Sequence, residues 1–337
     1  MNETLSTRYR QFKEENPKVR IRDAAEQVGV TEAELVAIGQ ENTRLRPEFE
    51  AILSEIPHLG YVMALTRNDH AVHERKGIYT RASFSGKVGF IANADIDLRL
   101  FLFSWHAVFA VQEGDRKSIQ FFAKNGTAVH KIYLTAKSVP EAYQDLIAKY
   151  KMQTPDEALV VEQDIRPSAG TDNDITADID VGAFQRDWLA LEDTHNFFSM
   201  LKKHGVGRTK ALEIAPEGHT KAITVEGLKS ILHKASEISL EIMVFIGNKG
   251  CIQIHTGKIE KLVQTGVWFN VLDNEFNMHL REDKIASVWI VRKPTVDGIV
   301  SSVEVFDREG ELIVQFFGKR KPGIPESQDW RSILLGV

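Results

Sequence analysis

One stretch of the sequence occurs twice, as VMALTRNDHAVHERKG at Val62–Gly77 and as IMVFIGNKGCIQIHTG at Ile242–Gly257. The two copies share a constant offset of 180 residues (242 − 62), which places Asn68 on Asn248. Similarity on this scale indicates an internal duplication. We therefore expect two domains of one kind, with the function located where the copies differ.

Each copy begins with helical spacing and continues as short alternating runs. In the first copy the pattern predicts helices at 4–15, 20–28, 31–38 and 47–54, strands between 60 and 134, and a helix at 139–150. The second copy has predicted helices at 183–191, 194–203, 209–214 and 225–234, strands between 241 and 317, and a helix at 326–334. Since the strands are grouped, the predicted class is α+β: in each half, N-terminal helices, a large antiparallel sheet and a closing helix.

The boundary between the copies is visible in the charge pattern. Residues 151–182 contain eight Asp and Glu against Lys151 and Arg166, a net charge of −6 (2 − 8). Such a segment is typical of a solvated connector. We predict a first repeat at 1–150, an acidic linker at 151–182 and a second repeat at 183–337.

Composition excludes several classes of function. A net charge of −5 argues against a nucleic-acid or anionic-membrane partner, because backbone binding needs a surplus of Lys and Arg. The longest apolar stretch, 101–111, contains Ser104 and His106 and is too short to span a membrane. The single cysteine, Cys251, excludes a cysteine-based metal cage and is predicted to be a buried structural thiol. These features predict a cytoplasmic protein.

The segment 21–38 has the spacing of a helix-turn-helix motif. Its second helix, however, carries Glu32 and Glu34 and no cation, and DNA phosphates would repel it. We predict a packed helical pair that supports the sheet, with Thr31 and Glu34 forming a capping box.

No common catalytic motif is present in the sequence. The copies diverge chiefly in WLALEDTHNFFSMLKKHGVGR at Trp188–Arg208, where Asp193 is a favourable N-cap that would place His195 in the first helical turn and Phe198 on the same face. His195 is open to two interpretations. It is either a satisfied structural residue or an imidazole ligand to the metal of a flat apolar cofactor, with Asp193 as its hydrogen-bond partner.

Five strings carry a resemblance to a known family: ADIDLRLF, DTHNFFSMLKKHGV, EIMVFIGNKGCIQIHTGKIE, SVWIVRKPTVDG and QFFGKRKPGIPE. On them the chain resembles the cytoplasmic haemin-degrading and haem-trafficking family of Gram-negative bacteria, the HemS-type proteins, over nearly its whole length. The resemblance implies two similar α+β halves that bind haem in a cleft between them.

The resemblance also implies the roles of individual residues. Haem iron would be bound by His195 and covered on its other face by Arg99, whose permanently charged guanidinium cannot act as a ligand and leaves the sixth position exchangeable. The remaining implied contacts are cations for the propionates, a polar neighbour and cleft-lining aromatic residues: Arg208, Lys293, Arg320, Gln315, Phe101, Phe103, Phe245 and Phe317. Some relatives have tyrosine at position 317.

A first-half haem site has been suggested for one relative at the position of His73. In the alignment of the two copies, Gln253 takes the position of this histidine, so the duplication does not support a second haem ligand. We predict that His73 is a surface residue of a strand.

The family implies a haem-binding function in iron acquisition, in one of two forms. In the first, haem is both cofactor and substrate and is opened oxidatively to release iron, with electrons from a donor that the sequence does not identify. In the second, the protein carries haem to a separate haem oxygenase. Degradation is the favoured form, and a haem oxygenase or a reductase is the expected partner.

Overall fold

The structure is a computed structural model that describes residues 4–153, 159–162, 179–321 and 323–337. It divides into two compact units. The first unit takes the described residues of 1–67, 74–165 and 248–253, and the second takes those of 68–73, 166–247 and 254–337. Most of the predicted acidic linker lies outside the described residues. The segments 68–73 and 248–253 are equivalent in the repeat, and each clusters with the unit built mainly from the other half of the sequence.

The described part of the first half contains five α-helices: α1 (Leu5–Glu15), α2 (Ile21–Val28), α3 (Glu32–Ala37), α4 (Phe49–Glu55) and α5 (Pro140–Tyr150). Its strands are β1 (Thr43–Leu45), β2 (Gly60–Arg67), β3 (Ala71–Ile78), β4 (Ser83–Ser85), β5 (Val88–Ala92), β6 (Asp97–Phe101), β7 (Trp105–Glu113), β8 (Arg116–Ala123) and β9 (Ala128–Ser138). Alternating burial along β2 and β6 explains why these runs form strands with one face in the core.

In the first unit the strands run β1-β7-β8-β9-β2 in antiparallel order, and β4, β5 and β6 form a separate meander. One face of the five strands packs against α4 and α5 through a core that includes Ile119 and Ile132, which are paired across β8 and β9. The opposite face packs against α3 through Ala33 and Val36. The helical pair α2–α3 therefore supports the sheet, as predicted.

The described part of the second half repeats this order. Its helices are α6 (Val181–Leu189), α7 (Asn196–His204), α8 (Arg208–Glu213), α9 (Val225–Glu237) and α10 (Gln328–Leu335). Its strands are β10 (Thr220–Ile223), β11 (Ile242–Gly247), β12 (Cys251–Gly257), β13 (Leu262–Thr265), β14 (Trp268–Leu272), β15 (Phe276–Arg281), β16 (Ser287–Thr295), β17 (Gly298–Phe306) and β18 (Leu312–Gly318).

In the second unit the strands run β10-β16-β17-β18-β11, with β13, β14 and β15 as the separate meander. One face packs against α9 and α10, and the other is partly covered by α6, α7 and α8, which contact Val291 and Phe306. The strand order matches that of the first unit strand by strand. The predicted α+β class and the internal duplication are confirmed.

The asparagines that align in the repeat perform the same task in both units. The side-chain oxygen of Asn248 accepts backbone hydrogen bonds from Gly250 and Cys251, and its amide donates to the carbonyls of Arg67 and Val129. Asn68 does the same in the second unit, with His70, Ala71, Gly247 and Ile313. The matched asparagines are therefore structural residues.

Two local predictions are confirmed and one is wrong. Thr31 and Glu34 form the capping box, and Cys251 is fully buried. His73, predicted to lie on the surface, is fully buried, and its ring centroid lies 4.9 Å from that of Phe276. Its strand contributes to a packed core, which the sequence pattern H-A-V-H-E-R-K did not indicate. Within the described ranges, no helix combines the length and apolar character needed to cross a bilayer.

Candidate functional site

His195 stands at the surface immediately before α7. The helix begins at Asn196, two residues later than a cap at Asp193 would require, so His195 itself occupies the N-cap position. Asp193 acts from outside the helix: one of its oxygens, Oδ1, accepts the backbone N–H of His195 at 2.9 Å and lies 2.6 Å from the imidazole Nδ1. The imidazole is 90 % exposed.

This contact defines which ring nitrogen of His195 is available. The His195 backbone N–H, followed by its side chain, lowers the pKa of Asp193, so Asp193 is a charged acceptor. A carboxylate at Nδ1 favours the tautomer with the proton on Nδ1, which leaves the lone pair on Nε2. Metal-binding histidines usually make a second hydrogen bond of this type. The exposure shows that the His195 ring is not part of the core.

Glu304 on β17 is the centre of a buried charged cluster in the second unit. Its side chain is 0 % exposed. Arg208 at the start of α8 donates to it from Nε and Nη2 at 2.8 and 3.0 Å, and Lys293 on β16 donates from Nζ at 2.7 Å. Gln315 and Ser302 donate to the same carboxylate at 3.0 and 3.1 Å. We call these five residues the Glu304 cluster.

The Glu304 cluster contains two cations and one anion. Burial raises the pKa of Glu304, but the charges of Arg208 and Lys293 outweigh burial and hold this pKa well below its usual range. Burial lowers the pKa of Lys293 to about 8, against the opposing effect of Glu304. Near neutral pH all three groups are therefore charged, and the cluster has a net charge of +1.

The cluster is joined to α7 through Phe197. This residue is buried, and its ring centroid lies 4.2 Å from the Lys293 ammonium and 5.5 Å from the Arg208 guanidinium. Both distances fall in the range of cation–π interactions. Because Phe197 is two residues after His195, the cations support the turn that presents the imidazole.

Arg320, two residues after the end of β18, belongs to the same region. Its Nη2 lies 3.9 Å from Asp297 Oδ2, and its charge also contributes to lowering the pKa of Asp193. The backbone of Val296 donates to the carbonyl of Glu192 at 3.0 Å, which ties the two loops together. Arg320 is thus a partly exposed cation close to the His195 turn.

A half-buried aromatic pair completes this face of the second unit. Phe245 on β11 and Phe317 on β18 form an edge-to-face contact with centroids 5.1 Å apart. The strand register pairs Phe245 with Gln315, and Gln315 with Glu304. Directly paired residues share a sheet face, so the aromatic pair and the Glu304 cluster lie on the same side of the sheet.

Three of the residues implied by the resemblance lie in the first unit. Arg99 on β6 pairs with Asp97, and its guanidinium lies 5.7 Å from the ring centroid of Phe90. Phe101 and Phe103 have ring centroids 6.0 Å apart, and Phe103 is exposed.

The structure changes the view of Lys293 and adds residues that sequence reasoning missed. Lys293 was expected to face a propionate directly, but its side chain is only 4 % exposed and is committed to Glu304. Glu304 and Asp297 were not anticipated. The available signal for Glu304 was a charged residue between Val303 and Val305 in a strand with no other charged residue.

The duplicated fold is that of a known family of domains. The model of the haemin-degrading HemS.ChuX domain matches residues 29–150 and again residues 205–336. The chain belongs to this family.

Full-length relatives and solved structures agree with the assignment. The chain is 38 % identical to the hemin transport protein HmuS of Yersinia pestis, over 98 % of this chain and 96 % of the relative. It is 45 % identical to holo-PhuS, a heme-binding protein from Pseudomonas aeruginosa, with a TM-score of 0.92 over 97 % and 96 % of the two chains. ChuS, described as an E. coli heme oxygenase, is 33 % identical, with a TM-score of 0.88 over 98 % of both chains.

Proposed function

We propose that this chain binds haem in the cytoplasm, as the cargo or substrate of bacterial haem-iron use. The observation that carries the proposal is the His195 imidazole, which Asp193 orients so that the Nε2 lone pair faces solvent. PhuS, a heme-binding protein, and HmuS, a hemin transport protein, support haem as the ligand.

The residues of the second unit fit the chemistry of haem. A neutral imidazole nitrogen is a good iron ligand. Arg208, with 27 % of its side chain exposed, and Arg320 would hold carboxylate groups, and the half-buried Phe245 and Phe317 would contact the apolar ring. Lys293 would act through Glu304 rather than by direct contact.

The test of haem binding compares two exposed histidines. His195→Ala should weaken the affinity for ferric haem and shift the Soret band, because it removes the iron ligand. His58→Ala is the matched control, since His58 is also exposed and has a carboxylate, that of Glu55, 3.8 Å away. Equal spectra and affinities for wild type and His195→Ala would refute the assignment.

We further propose that bound haem is degraded oxidatively, with dioxygen as the oxidant and electrons from an external donor. The relation to ChuS supports degradation, whereas the relation to a hemin transport protein supports carriage to a separate oxygenase. Arg99 is the proposed polar group on the open face of haem, where a preorganised donor would assist ring opening.

Arg99→Ala separates degradation from carriage. If the protein degrades haem, this variant should retain most haem affinity but lose the Soret band more slowly, by about ten-fold or more, under reductant in air with catalase present. Haem that is stable under these conditions in the wild type, with several donors, would favour carriage. A reductase or a haem oxygenase is the expected partner in these two cases, respectively.

A further inference from the structure

We infer that Glu304 is a positioning residue that fixes the direction of the Arg208 guanidinium, and through it the affinity for one carboxylate group of the ligand. The inference deepens the proposed function and rests on it. Glu304 is fully buried and would not itself contact haem.

The first argument is geometric. Glu304 binds two adjacent N–H edges of Arg208, Nε and Nη2, at 2.8 and 3.0 Å. A bidentate pair of this kind defines both the position and the plane of the guanidinium. Within the described residues Nη1 makes no hydrogen bond, so it is the edge left for a ligand. Of the five residues in the Glu304 cluster, only Arg208 is bound to the carboxylate in this way.

The second argument is electrostatic. Arg208 and Lys293 both face the ring of Phe197, and without an anion between them they would repel each other. Burial already lowers the pKa of Lys293 to about 8, and removal of the Glu304 charge would lower this pKa further. A neutral side chain at position 304 should therefore be followed by proton loss from Lys293. The net charge of the cluster would stay near +1, while Arg208 would lose its bidentate partner.

This consequence makes Glu304→Gln an informative substitution, because it separates orientation from charge. The change keeps the size of the side chain. Any loss of carboxylate affinity would therefore come mainly from the released guanidinium and not from a weaker positive field.

The first unit supplies a matched control. There Glu32 is also buried and pairs with Lys131 at 2.5 Å and with Arg67. Burial raises the pKa of Glu32, but these cations lower it to about 2. Glu32→Gln thus removes an equally buried carboxylate between two cations, in a unit where we place no carboxylate contact.

The experiment uses full-length protein and two measurements. In haem-free protein, NMR should show a slowly exchanging Arg208 Nε–H in the wild type and in Glu32→Gln, and fast exchange in Glu304→Gln. In titrations, Glu304→Gln should weaken haem binding about ten-fold or more, the scale of one charge-assisted hydrogen bond. Binding of haem dimethyl ester, whose carboxylates are blocked, should be the same in all three proteins, and the Soret band should not move.

Several results would overturn the inference. One is wild-type exchange of Arg208 Nε–H in Glu304→Gln, and another is equal loss of haem and dimethyl ester affinity. If Glu304→Gln does not fold, Arg208→Lys decides, because lysine keeps the charge but cannot make the bidentate pair; wild-type haem affinity in that variant would refute orientation as the cause. Failure of the wild type to bind haem would refute the proposed function, while the exchange measurement would still test the role of Glu304.

Discussion

Each unit contains a buried charge cluster between a helix and the sheet, and the helix residue has opposite charge in the two units. In the first unit the carboxylate comes from a helix, since Glu32 is the first residue of α3, and its partner Lys131 lies on β9. In the second unit the helix supplies the cation, Arg208 at the start of α8, and the carboxylate of Glu304 lies on β17. Both units thus join a helix to the sheet by a buried ion pair, with opposite polarity.

The register of the sheets shows that the two sheet residues do not occupy the same position, because Glu304 takes the place of Gln120 and Gln315 takes that of Lys131. Gln120 pairs with Lys131 across β8 and β9, as Glu304 pairs with Gln315 across β17 and β18. The preceding helices both end in a left-handed glycine, Gly29 and Gly205. The offset of these glycines is 176 (205 − 29), and it equals that of Glu32 and Arg208 (208 − 32).

A comparison of the two buried clusters and their neighbouring residues shows which features are specific to the second unit. Both clusters hold one carboxylate between two cations, so the buried charge is a shared feature of the fold. At the same offset, however, His195 corresponds to Val19 and Phe197 to Ile21 (195 − 176 and 197 − 176). The first unit therefore lacks the imidazole and the aromatic ring that connects it to the cations.

The largest expected effect comes from reversing one charge. Glu32→Arg would bury a third cation beside Lys131 and Arg67, and should destabilise the protein by about 3–5 kcal/mol, as expected for a broken buried pair. Adding Lys131→Glu should recover a large part of this loss, because one carboxylate again lies between two cations, with the helix residue positive as in the second unit. Urea unfolding followed by circular dichroism measures both values.

The exposed Lys124 provides the control for these two variants. Lys124→Glu should change stability by less than about 1 kcal/mol, as expected for a surface pair. A double variant no more stable than Glu32→Arg alone would show that the two clusters are not interchangeable in polarity.

A second difference between the units is His130, whose equivalent at an offset of 184 (314 − 130) is Val314. His130 is buried between Thr66 Oγ1 at 2.8 Å and Tyr79 OH at 2.6 Å, and burial lowers its pKa to about 3. Below about pH 6.5 the His130 side chain binds a proton in the unfolded chain but stays neutral in the folded protein. Stability should therefore fall as pH decreases from about 6.5 to 3, by about 1.4 kcal/mol per pH unit.

The measurement compares unfolding of wild type and His130→Gln across this pH range. The variant should be less stable at neutral pH and should lose stability less steeply on acidification. If the unfolding free energies of the two proteins change with pH in parallel, His130 is not kept neutral by the fold.

The smallest expected effect is that of the residue that orients the imidazole. Asp193→Asn removes the charge at Nδ1 and should weaken haem binding about ten-fold, within the range for partners of metal-ligating histidines. Because the first unit has no such histidine, no first-unit carboxylate should show this effect. An unchanged affinity, with Glu55→Gln as the control, would show that Asp193 does not act on His195.

The sequence predicted the duplication, the class and most helices, because these depend on local periodicity and on similarity between the copies. It missed β1 and β10, which are short strands that lie between predicted helices. They form by pairing with β7 and β16, which are distant in sequence, and local propensity cannot predict such pairing.

The candidate site was only partly predictable for the same reason. His195 stood out because it lies in the segment where the copies diverge. The partners in the Glu304 cluster could not be identified from sequence, since Arg208, Lys293 and Gln315 come from three different elements. The resemblance suggested cations that face the ligand, whereas burial of Lys293 is a tertiary property.

The central claim, that His195 of the second unit supplies the iron ligand, is tested most directly by chemical rescue. His195→Gly should bind ferric haem with a shifted Soret band and weaker affinity. Added imidazole should restore the wild-type spectrum, because it replaces the missing side chain. If His195→Gly shows the wild-type spectrum without imidazole, another residue binds the iron and the account is contradicted.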